Sequence, residues 1–303
     1  MASIYTGRGG FSMLTVLALA KLNLTLEVLA KRPDGFHEIR SVVQTINLYD
    51  SLRFQLNENV EFDCADPSWI PEVSLVSKAV DLLQKTTGCS KGVKIEIDKR
   101  IPLVSGLSGD SSDAAAVLVG LNKLWELGLS LSELLELAPQ LGSDVAFFLY
   151  GGTALLKGRG EVVTSLPSFP HMRVVVMLPP VPRRLGKTGR LYARVRPSHY
   201  TRGEVTDRLV ALLAGQNFKE EKLIAEFFNV LDDVAPDNFN GLRGYQEQFL
   251  KAGAQQVHLA GSGPALFTLV KDKAQAEKIY SCLQKQGLES YLTDTLDAVE
   301  KAE

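Results

Sequence analysis

A stretch rich in glycine and serine, residues 105–112, stands directly before an apolar segment with helical spacing. From position 101 the letters read IPLVSGLSGDSSDAAA. Small residues let the backbone approach a ligand closely, and the first turn of a helix presents unpaired N–H groups and the positive end of its dipole. The pattern favours a site for the phosphates of a nucleotide triphosphate, with serine hydroxyls available for hydrogen bonds or for magnesium. A flexible loop with a helix N-cap at Ser111, Ser112 or Asp113 is the alternative that these residues leave open.

A second phosphate-binding pattern, the Walker loop, requires G-x-x-x-x-G-K-[ST]. Gly186-Lys187-Thr188 supplies the end of that pattern, but Val181 stands where the first glycine is required. We interpret the three residues as a chance match and do not predict a P-loop NTPase.

The histidines and cysteines do not form a metal site by spacing. The histidines are His37, His171, His199 and His258. The cysteines are Cys64, Cys89 and Cys282. No two histidines have metal-ligand spacing and no CxxC pair occurs, so we predict no protein metal ligands and three free thiols in a reducing compartment.

The composition is that of a soluble globular protein of one large or two ordinary domains, with 303 residues, 45% apolar and 22% charged. A formal net charge of −2 without a long basic run argues against nucleic acid or an anionic membrane as the main partner. No apolar run reaches the ~18 residues of a membrane span, and the start lacks the features of a signal peptide. We therefore predict a cytoplasmic protein, and interpret residues 1–12 as a tag or an incorrectly assigned start.

The sequence patterns predict the strands and helices that position the glycine-serine stretch. Residues 13–20 are apolar and strand-like, and residues 21–28 alternate as a half-buried strand does. Residues 32–35 have the composition of a turn, and residues 93–97 alternate again. The helix after the stretch places five apolar residues on one face, namely Val117, Leu118, Leu121, Leu124 and Trp125. A further helix over 131–141 ends at Gly142, and strands are predicted over 153–157 and 172–178.

Pro179-Pro180-Val181-Pro182 indicates a boundary, and the domain break is expected between about 160 and 185. Beyond it we predict helices over 205–214, 219–230, 240–252 and 273–286, and strands over 256–260 and 265–270. Two strands that can pair antiparallel and pack with helices predict an α+β unit of split βαβ type.

The glycine-serine stretch resembles the phosphate loop of the GHMP kinases, P-x-x-x-G-L-x-[GS]-S-S before a helix. Ala20-Lys21-Leu22-Asn23-Leu24 is similar to the family's N-terminal strand motif. Residues 142–148 with 151–154, and residues 259–267, are similar to its second and third glycine motifs. Residues 31–38, with Gln44-Thr45-Ile46, resemble the branch of the family that acts on a cytidine diphosphate substrate. The resemblance runs in register from about Leu19 to the last helix.

This resemblance implies an α+β, two-domain fold. It comprises an N-terminal mixed-sheet ATP-binding domain over residues 13–165 and a C-terminal ferredoxin-like domain over 166–303. It also implies phosphoryl transfer from ATP, with Mg²⁺, to the 2-hydroxyl of a cytidine-diphosphate-linked methylerythritol in non-mevalonate isoprenoid precursor synthesis. A monomer or homodimer is expected.

The resemblance also implies the roles of particular residues. Asp144 would accept the proton of the substrate hydroxyl or orient that hydroxyl, and Lys21 would keep Asp144 ionised and stabilise the transferring phosphate. The ATP site would comprise Pro102, Ser105, Gly106, Leu107, Ser108, Gly109, Asp110, Ser111 and Ser112. The substrate site would comprise Asn23, Phe36, His37, Thr188, Tyr192, Gly261, Ser262 and Gly263. In that site His37 would read the cytosine edge, with Phe36 and Tyr192 as stacking rings.

Four departures from the family pattern concern this machinery. Ser108 replaces a glycine of the phosphate loop, which is a mild change. Asp110 replaces a glycine of the phosphate loop, and a carboxylate ~5 Å from a phosphate would cost roughly 3 kcal/mol per unit charge at an effective dielectric of 20. We expect its side chain to point away from the nucleotide. Phe36 replaces a tyrosine and Ala146 replaces a proline, which changes fine geometry but not the chemistry.

Two alternatives stay open at this point. One is another GHMP kinase, acting on a mevalonate-type alcohol, homoserine or a sugar. The other is a catalytically weak nucleotide-binding protein, which only Asp110 suggests.

Overall fold

The structure is a computed structural model that describes residues 4–6, 13–215 and 219–297. Within these residues, eight strands that precede residue 166 and one later strand form a nine-stranded mixed sheet. The strands are β1 (Ile4–Thr6), β2 (Leu14–Asn23), β3 (Thr25–Lys31), β4 (His37–Asn57), β5 (Val60–Cys64), β6 (Gly92–Asp98), β7 (Thr153–Lys157), β8 (Val162–Ser165) and β10 (Phe228–Asn229). The long strand β4 pairs with β2, β3, β6 and β7 and so organises the sheet. The predicted extension over residues 1–12 lies outside the described residues except for β1, and its origin stays a prediction.

Strand β2 carries the first motif, and its pairing with β4 aligns Lys21 with Thr45 and Asn23 with Val43. The two predicted strands over 13–20 and 21–28 are shifted, because β2 continues to Asn23 before β3 begins. The prediction of a half-buried strand is wrong, since both faces are buried from Ala18 to Val28. Ala18 belongs to the core under the helices, whereas Ala20 and Leu22 pack against the second half of the chain.

Four helices cover one face of this sheet. They are α1 (Leu75–Thr87), α2 (Gly109–Leu124), α3 (Leu131–Leu141) and α4 (Val145–Tyr150). Helix α2 follows the glycine-serine stretch and buries its apolar residues, as predicted, while α3 ends at Gly142. However, α2 begins at Gly109, so the last four residues of the predicted loop are helical. Ser108 is its N-cap, with φ of +60° and no side-chain capping bond, so capping by Ser111, Ser112 or Asp113 is wrong.

The second half forms a four-stranded antiparallel sheet in the order β11-β12-β9-β13. Its strands are β9 (Arg173–Leu178), β11 (His258–Leu259), β12 (Leu266–Val270) and β13 (Glu289–Asp294). Its helices are α5 (Lys187–Tyr192), α6 (Glu204–Gly215), α7 (Glu220–Ile224), α8 (Leu231–Val234), α9 (Leu242–Lys251) and α10 (Lys273–Lys285). Numbered within this unit the strand order is 2-3-1-4, so the predicted split βαβ architecture is confirmed.

The predicted helix over 219–230 is wrong beyond Ile224. Phe228 and Val230 donate backbone hydrogen bonds to Leu24 and Leu26. These bonds pair β10 in parallel with β3 at the edge of the first sheet. Residues 228 and 229 are therefore in a strand and not in the predicted helix.

The two sheets share a core. Leu22 and Val42 of the first sheet, Val174 of the second and Phe169 between them belong to one buried cluster. The predicted boundary after residue 165 falls between β8 and β9 and stays a prediction. None of the helices in the described ranges is long and apolar enough to cross a membrane.

Candidate active site

A cavity of about 1060 Å³ lies where the two units meet. The first unit contributes β2, the start of β4, the phosphate loop and the residue before α4. The second unit contributes α5 and the glycine turn at residues 261 and 262. Residues far apart in sequence thus line one space, at the upper end of the range of about 300–1,000 Å³ that is usual for ligand pockets.

Lys21 and Asp144 meet in this cavity. The Lys21 Nζ lies 3.4 Å from Asp144 Oδ2 and donates a hydrogen bond of 2.6 Å to Asn23 Oδ1. Lys21 is buried, whereas the Asp144 side chain is 29% exposed and open to the cavity. Asn23 in turn donates to Ser41 Oγ at 2.8 Å, which fixes its amide and therefore the direction of the ammonium.

Asp144 stands at the N-cap position of α4, yet its side chain makes no capping bond. Its Oδ2 instead accepts a hydrogen bond of 2.5 Å from Ser108 Oγ. Burial by itself would raise the pKa of Asp144, but the Lys21 ammonium and the bonds from Ser108 and Lys21 outweigh burial and hold the pKa below its ordinary value. The carboxylate is therefore ionised at neutral pH.

Most of the predicted phosphate-loop residues line the cavity. They are Pro102, Ser105, Gly106, Ser108, Gly109, Asp110 and Ser111. Leu107 and Ser112 do not, because their side chains are buried. Their backbone N–H groups are also engaged, because that of Ser112 donates to the Ser108 carbonyl at 3.0 Å and that of Leu107 to Ser105 Oγ at 3.4 Å. The ligand contacts predicted for these two residues stay predictions.

The Asp110 side chain is bonded to the neighbouring helix. Its Oδ1 accepts hydrogen bonds from the Leu75 backbone N–H at 3.2 Å and from the Ser74 hydroxyl at 3.1 Å. Asp110 therefore satisfies donors at the N-terminus of α1, where a carboxylate is stabilised by the helix dipole.

The third glycine motif packs directly against the phosphate loop. A Cβ on Gly106, whose φ is +98°, would lie 2.0 Å from the Ala260 carbonyl oxygen and 2.7 Å from the Gly263 nitrogen. Ala265 N donates to the Ser105 carbonyl at 3.0 Å. Gly261 and Gly263 both have positive φ. Gly261 and Ser262 line the cavity, whereas Gly263 is buried behind them.

The predicted base-recognition residues gather at another part of the wall. The ring centroids of His37 and Tyr192 lie 5.4 Å apart, and Phe36 is 48% exposed beside them in the same cavity. Burial, aided by the Lys31 ammonium, holds the pKa of His37 below its ordinary value, so the ring is neutral at pH 7. Arg159, which was not predicted, places its guanidinium 4.8 Å from the centre of the Phe36 ring.

The segment before Tyr192 contributes Lys187 to the cavity, a residue that was not predicted to belong to the site. Thr188 Oγ1 lies 2.8 Å from Ser262 Oγ, and Lys187 Nζ donates to the same hydroxyl at 2.8 Å. Lys187 lines the cavity although its chance Walker pattern has no role there. The signal that could have identified it was its position directly before a predicted substrate residue.

Among the residues that the structure describes, no group of three histidine, cysteine or carboxylate side chains is arranged to hold a metal ion. All three cysteines are free thiols.

Comparison with known proteins places this fold and site in a class. Residues 74–152 match the GHMP kinases N terminal domain and residues 210–288 match the GHMP kinases C terminal domain. The chain belongs to the GHMP kinase family, and the prediction made from its motifs is confirmed.

Within the family, the particular resemblance is to one kind of enzyme. The 4-diphosphocytidyl-2-C-methyl-D-erythritol kinase of Dehalococcoides mccartyi is 48% identical over 95% of this chain and 100% of its own length. The enzyme of the same name from Geobacillus thermodenitrificans is 40% identical over 89% of this chain and 93% of its own. A crystal structure of a 4-(cytidine 5′-diphospho)-2C-methyl-D-erythritol kinase superposes with a TM-score of 0.77 at 30% identity, covering 93% of this chain and 98% of the other.

Proposed function

We propose that the protein transfers the terminal phosphoryl group of ATP to the 2-hydroxyl of 4-diphosphocytidyl-2-C-methyl-D-erythritol, giving the 2-phosphate and ADP. The observation that carries the proposal is the contact of Lys21 with Asp144, 3.4 Å apart, in a cavity bounded by the phosphate loop and by His37. The extensive similarity to kinases of that name supports the acceptor. The reaction is a step of non-mevalonate isoprenoid precursor synthesis.

Asp144 orients the acceptor hydroxyl towards the phosphorus and receives its proton. Its lowered pKa makes Asp144 a weak base, which suits a loose transition state in which little proton transfer precedes formation of the new bond. Lys21 stabilises the negative charge on the transferring oxygens. Ser108 and Asn23 keep the two groups aligned.

The phosphate loop holds ATP through backbone N–H groups at the start of α2, where positive φ at Gly106 and Ser108 shapes a close approach. Mg²⁺ binds mainly to substrate phosphates in kinase sites and takes few protein oxygens. The Ser111 hydroxyl lines the cavity and is an oxygen of the kind that Mg²⁺ accepts. The ion would neutralise charge on the phosphates.

His37 and Tyr192 bind the cytosine, with Phe36 and Arg159 at the outer edge. A buried neutral imidazole can both donate and accept hydrogen bonds, as the edge of cytosine requires. The neutral rings on this side of the cavity argue against a small alcohol, such as mevalonate or homoserine, as the acceptor substrate. A catalytically weak homologue is disfavoured because the Asp110 carboxylate is bonded to α1.

Cytoplasmic location and a monomeric or dimeric state stay predictions.

The test is a coupled ADP-release assay of the purified protein with the cytidine substrate, mevalonate, homoserine and a sugar as separate acceptors. We expect turnover with the cytidine substrate alone. Asp144→Asn should lower kcat at least a hundredfold while the KM for ATP changes less than threefold, since the substitution keeps the shape but removes the charge. Turnover with another acceptor, or an active Asp144→Asn enzyme, would refute the assignment.

A further inference from the structure

Lys187 is a buried amine without a carboxylate partner. Its side chain is only 5% exposed, and Nζ donates to Ser262 Oγ at 2.8 Å and to the Ser262 carbonyl at 3.3 Å. The carboxylates of the described residues form ion pairs with Lys21, Lys99 and other cations, but none pairs with Lys187. An ammonium has three N–H donors, so one is left for a ligand.

The surroundings of Lys187 make its charge costly in the empty site. Burial, followed by the charge of Lys21, lowers the pKa of Lys187 to about 7. Nearly all other lysines of a protein carry a full charge at this pH. Buried charges are ordinarily paired, so an anion is the missing component of this part of the cavity.

The position of Lys187 indicates which anion. It precedes Thr188 on the short helix α5, and both bond to Ser262 on the acceptor side of the cavity. Five residues after Lys187 on α5, Tyr192 meets His37. The amine therefore shares a short helix with one of the base-binding rings and is close enough to Lys21 for the charge of that residue to lower its pKa. The linker of the proposed acceptor would join these two parts of the cavity.

We propose that the Lys187 ammonium binds a phosphate of the acceptor's diphosphate, an inference that rests on the proposed function. Because the free amine is partly neutral at pH 7, the bound anion draws a proton from solvent onto Nζ, and no bond other than this N–H is formed. Lys187 thus acts as a specificity residue that favours acceptors bearing a diphosphate over uncharged alcohols.

Other groups around α5 must be considered in any pH dependence. They are Lys21, His37, Asp144, Arg183, Arg190 and Tyr192, and α8 contributes Asp232 and Asp233. The pKa values of His37 and Asp144 lie below their ordinary values and that of Tyr192 above, so these three do not titrate between pH 7 and 9. Burial raises the pKa of Asp232, so a change in that range is assigned to Lys187 where Lys187→Arg abolishes it.

The test compares Lys187→Met and Lys187→Arg with wild type, and uses Lys251→Met as a control lysine outside the cavity. We expect Lys187→Met to raise the KM for the cytidine substrate at least tenfold and that for ATP less than threefold. Between pH 7 and 8.5 the wild-type KM for the acceptor should rise on the order of 15-fold, since only the protonated amine binds. Lys187→Arg should show a flat profile, because arginine keeps its charge.

Calorimetry with cytidine 5′-diphosphate as the probe, in two buffers of different ionisation enthalpy at pH 8, tests the proton directly. Wild type should take up close to one proton and Lys187→Arg none. An unchanged acceptor KM in Lys187→Met, a rise confined to ATP, or binding without proton uptake would each overturn the inference.

Two further results distinguish a failure of the inference about Lys187 from a failure of the proposed function. Proton-linked binding of cytidine 5′-diphosphate without turnover would refute the proposed function, and with it the role of Lys187 towards the acceptor, while showing that the amine binds a diphosphate. The midpoint of thermal unfolding of Lys187→Met should be equal to or above that of wild type, because the substitution removes an unpaired buried amine. A lower midpoint would assign Lys187 a structural role and overturn the inference.

Discussion

At the scale of single residues, the charged side chains of the site have different partners. Lys21 and Asp144 neutralise each other across 3.4 Å, whereas Asp110, which also lines the cavity, accepts hydrogen bonds from Ser74 and Leu75. A carboxylate directed at bound phosphates would oppose ATP by Coulomb repulsion, so the capping bonds allow Asp110 to occupy a phosphate loop.

Replacing Asp110 tests this separation. Asp110→Gly should change the KM for ATP less than tenfold but lower the free energy of unfolding by about 1 kcal/mol, because two donors at the start of α1 lose their acceptor. Asp110→Asn is the matched control, since it keeps an oxygen acceptor without the charge. Initial rates and urea denaturation provide the two measurements. A tenfold or larger fall in the KM for ATP in Asp110→Gly would show that the carboxylate faces the nucleotide.

At the scale of elements, two glycine-rich turns from opposite halves of the chain are fitted against each other. The Ala260 carbonyl occupies the space where a side chain on Gly106 would begin. The Ser105 carbonyl accepts the Ala265 N–H across the same contact. This packing places Ser262 and the phosphate loop in one cavity, so the distance between the proposed ATP and acceptor sites depends on it.

Gly106→Ala should disrupt that fit. A methyl group 2.0 Å from a backbone oxygen, at a residue with φ of +98°, requires the loop to shift. We expect kcat/KM to fall at least a hundredfold and the free energy of unfolding to fall by about 1–3 kcal/mol. Gly244→Ala is the control, because its added methyl meets nothing within 4 Å and its φ is not positive. Near-wild-type kinetics in Gly106→Ala would mean that the two turns are not coupled.

At the scale of the whole molecule, the cavity exists because two sheets share one core. Phe169 lies in the connection between them, 2% exposed, and packs with residues of both sheets. The backbone bridge from Ile46 to Thr295 ties the end of the chain to β4. We therefore expect the two halves to unfold as one cooperative unit.

Phe169→Ala tests this cooperativity. Removing a fully buried ring should cost about 3–5 kcal/mol of unfolding free energy, since the cavity left behind cannot fully collapse. Leu250→Ala, at a side chain 45% exposed, is the control and should change stability by less than about 0.5 kcal/mol. Thermal unfolding followed by calorimetry should show one transition in wild type and both variants. Two separated transitions in wild type would contradict a shared core.

The sequence by itself determined the family, the helix at 131–141, the strand at 153–157 and the split βαβ topology. The helix and the strand depend on local spacing, and the family on motifs that can be recognised in the sequence, although the contact that requires Gly106 comes from the other half of the chain. It also identified Lys21 and Asp144 through resemblance, although their roles stay proposals until they are tested.

Only the tertiary structure decided which groups meet. The end of the predicted helix at 219–230 became β10 because the open edge of β3 offers backbone partners that no local pattern reveals. The burial of both faces of β2 depends on the second half of the chain, which lies far away in sequence. The role proposed for Lys187 could not be predicted from the sequence either, because its spacing suggested a chance match to the Walker pattern. Its burial near Lys21 and its bond to Ser262 exist only once the two sheets have packed.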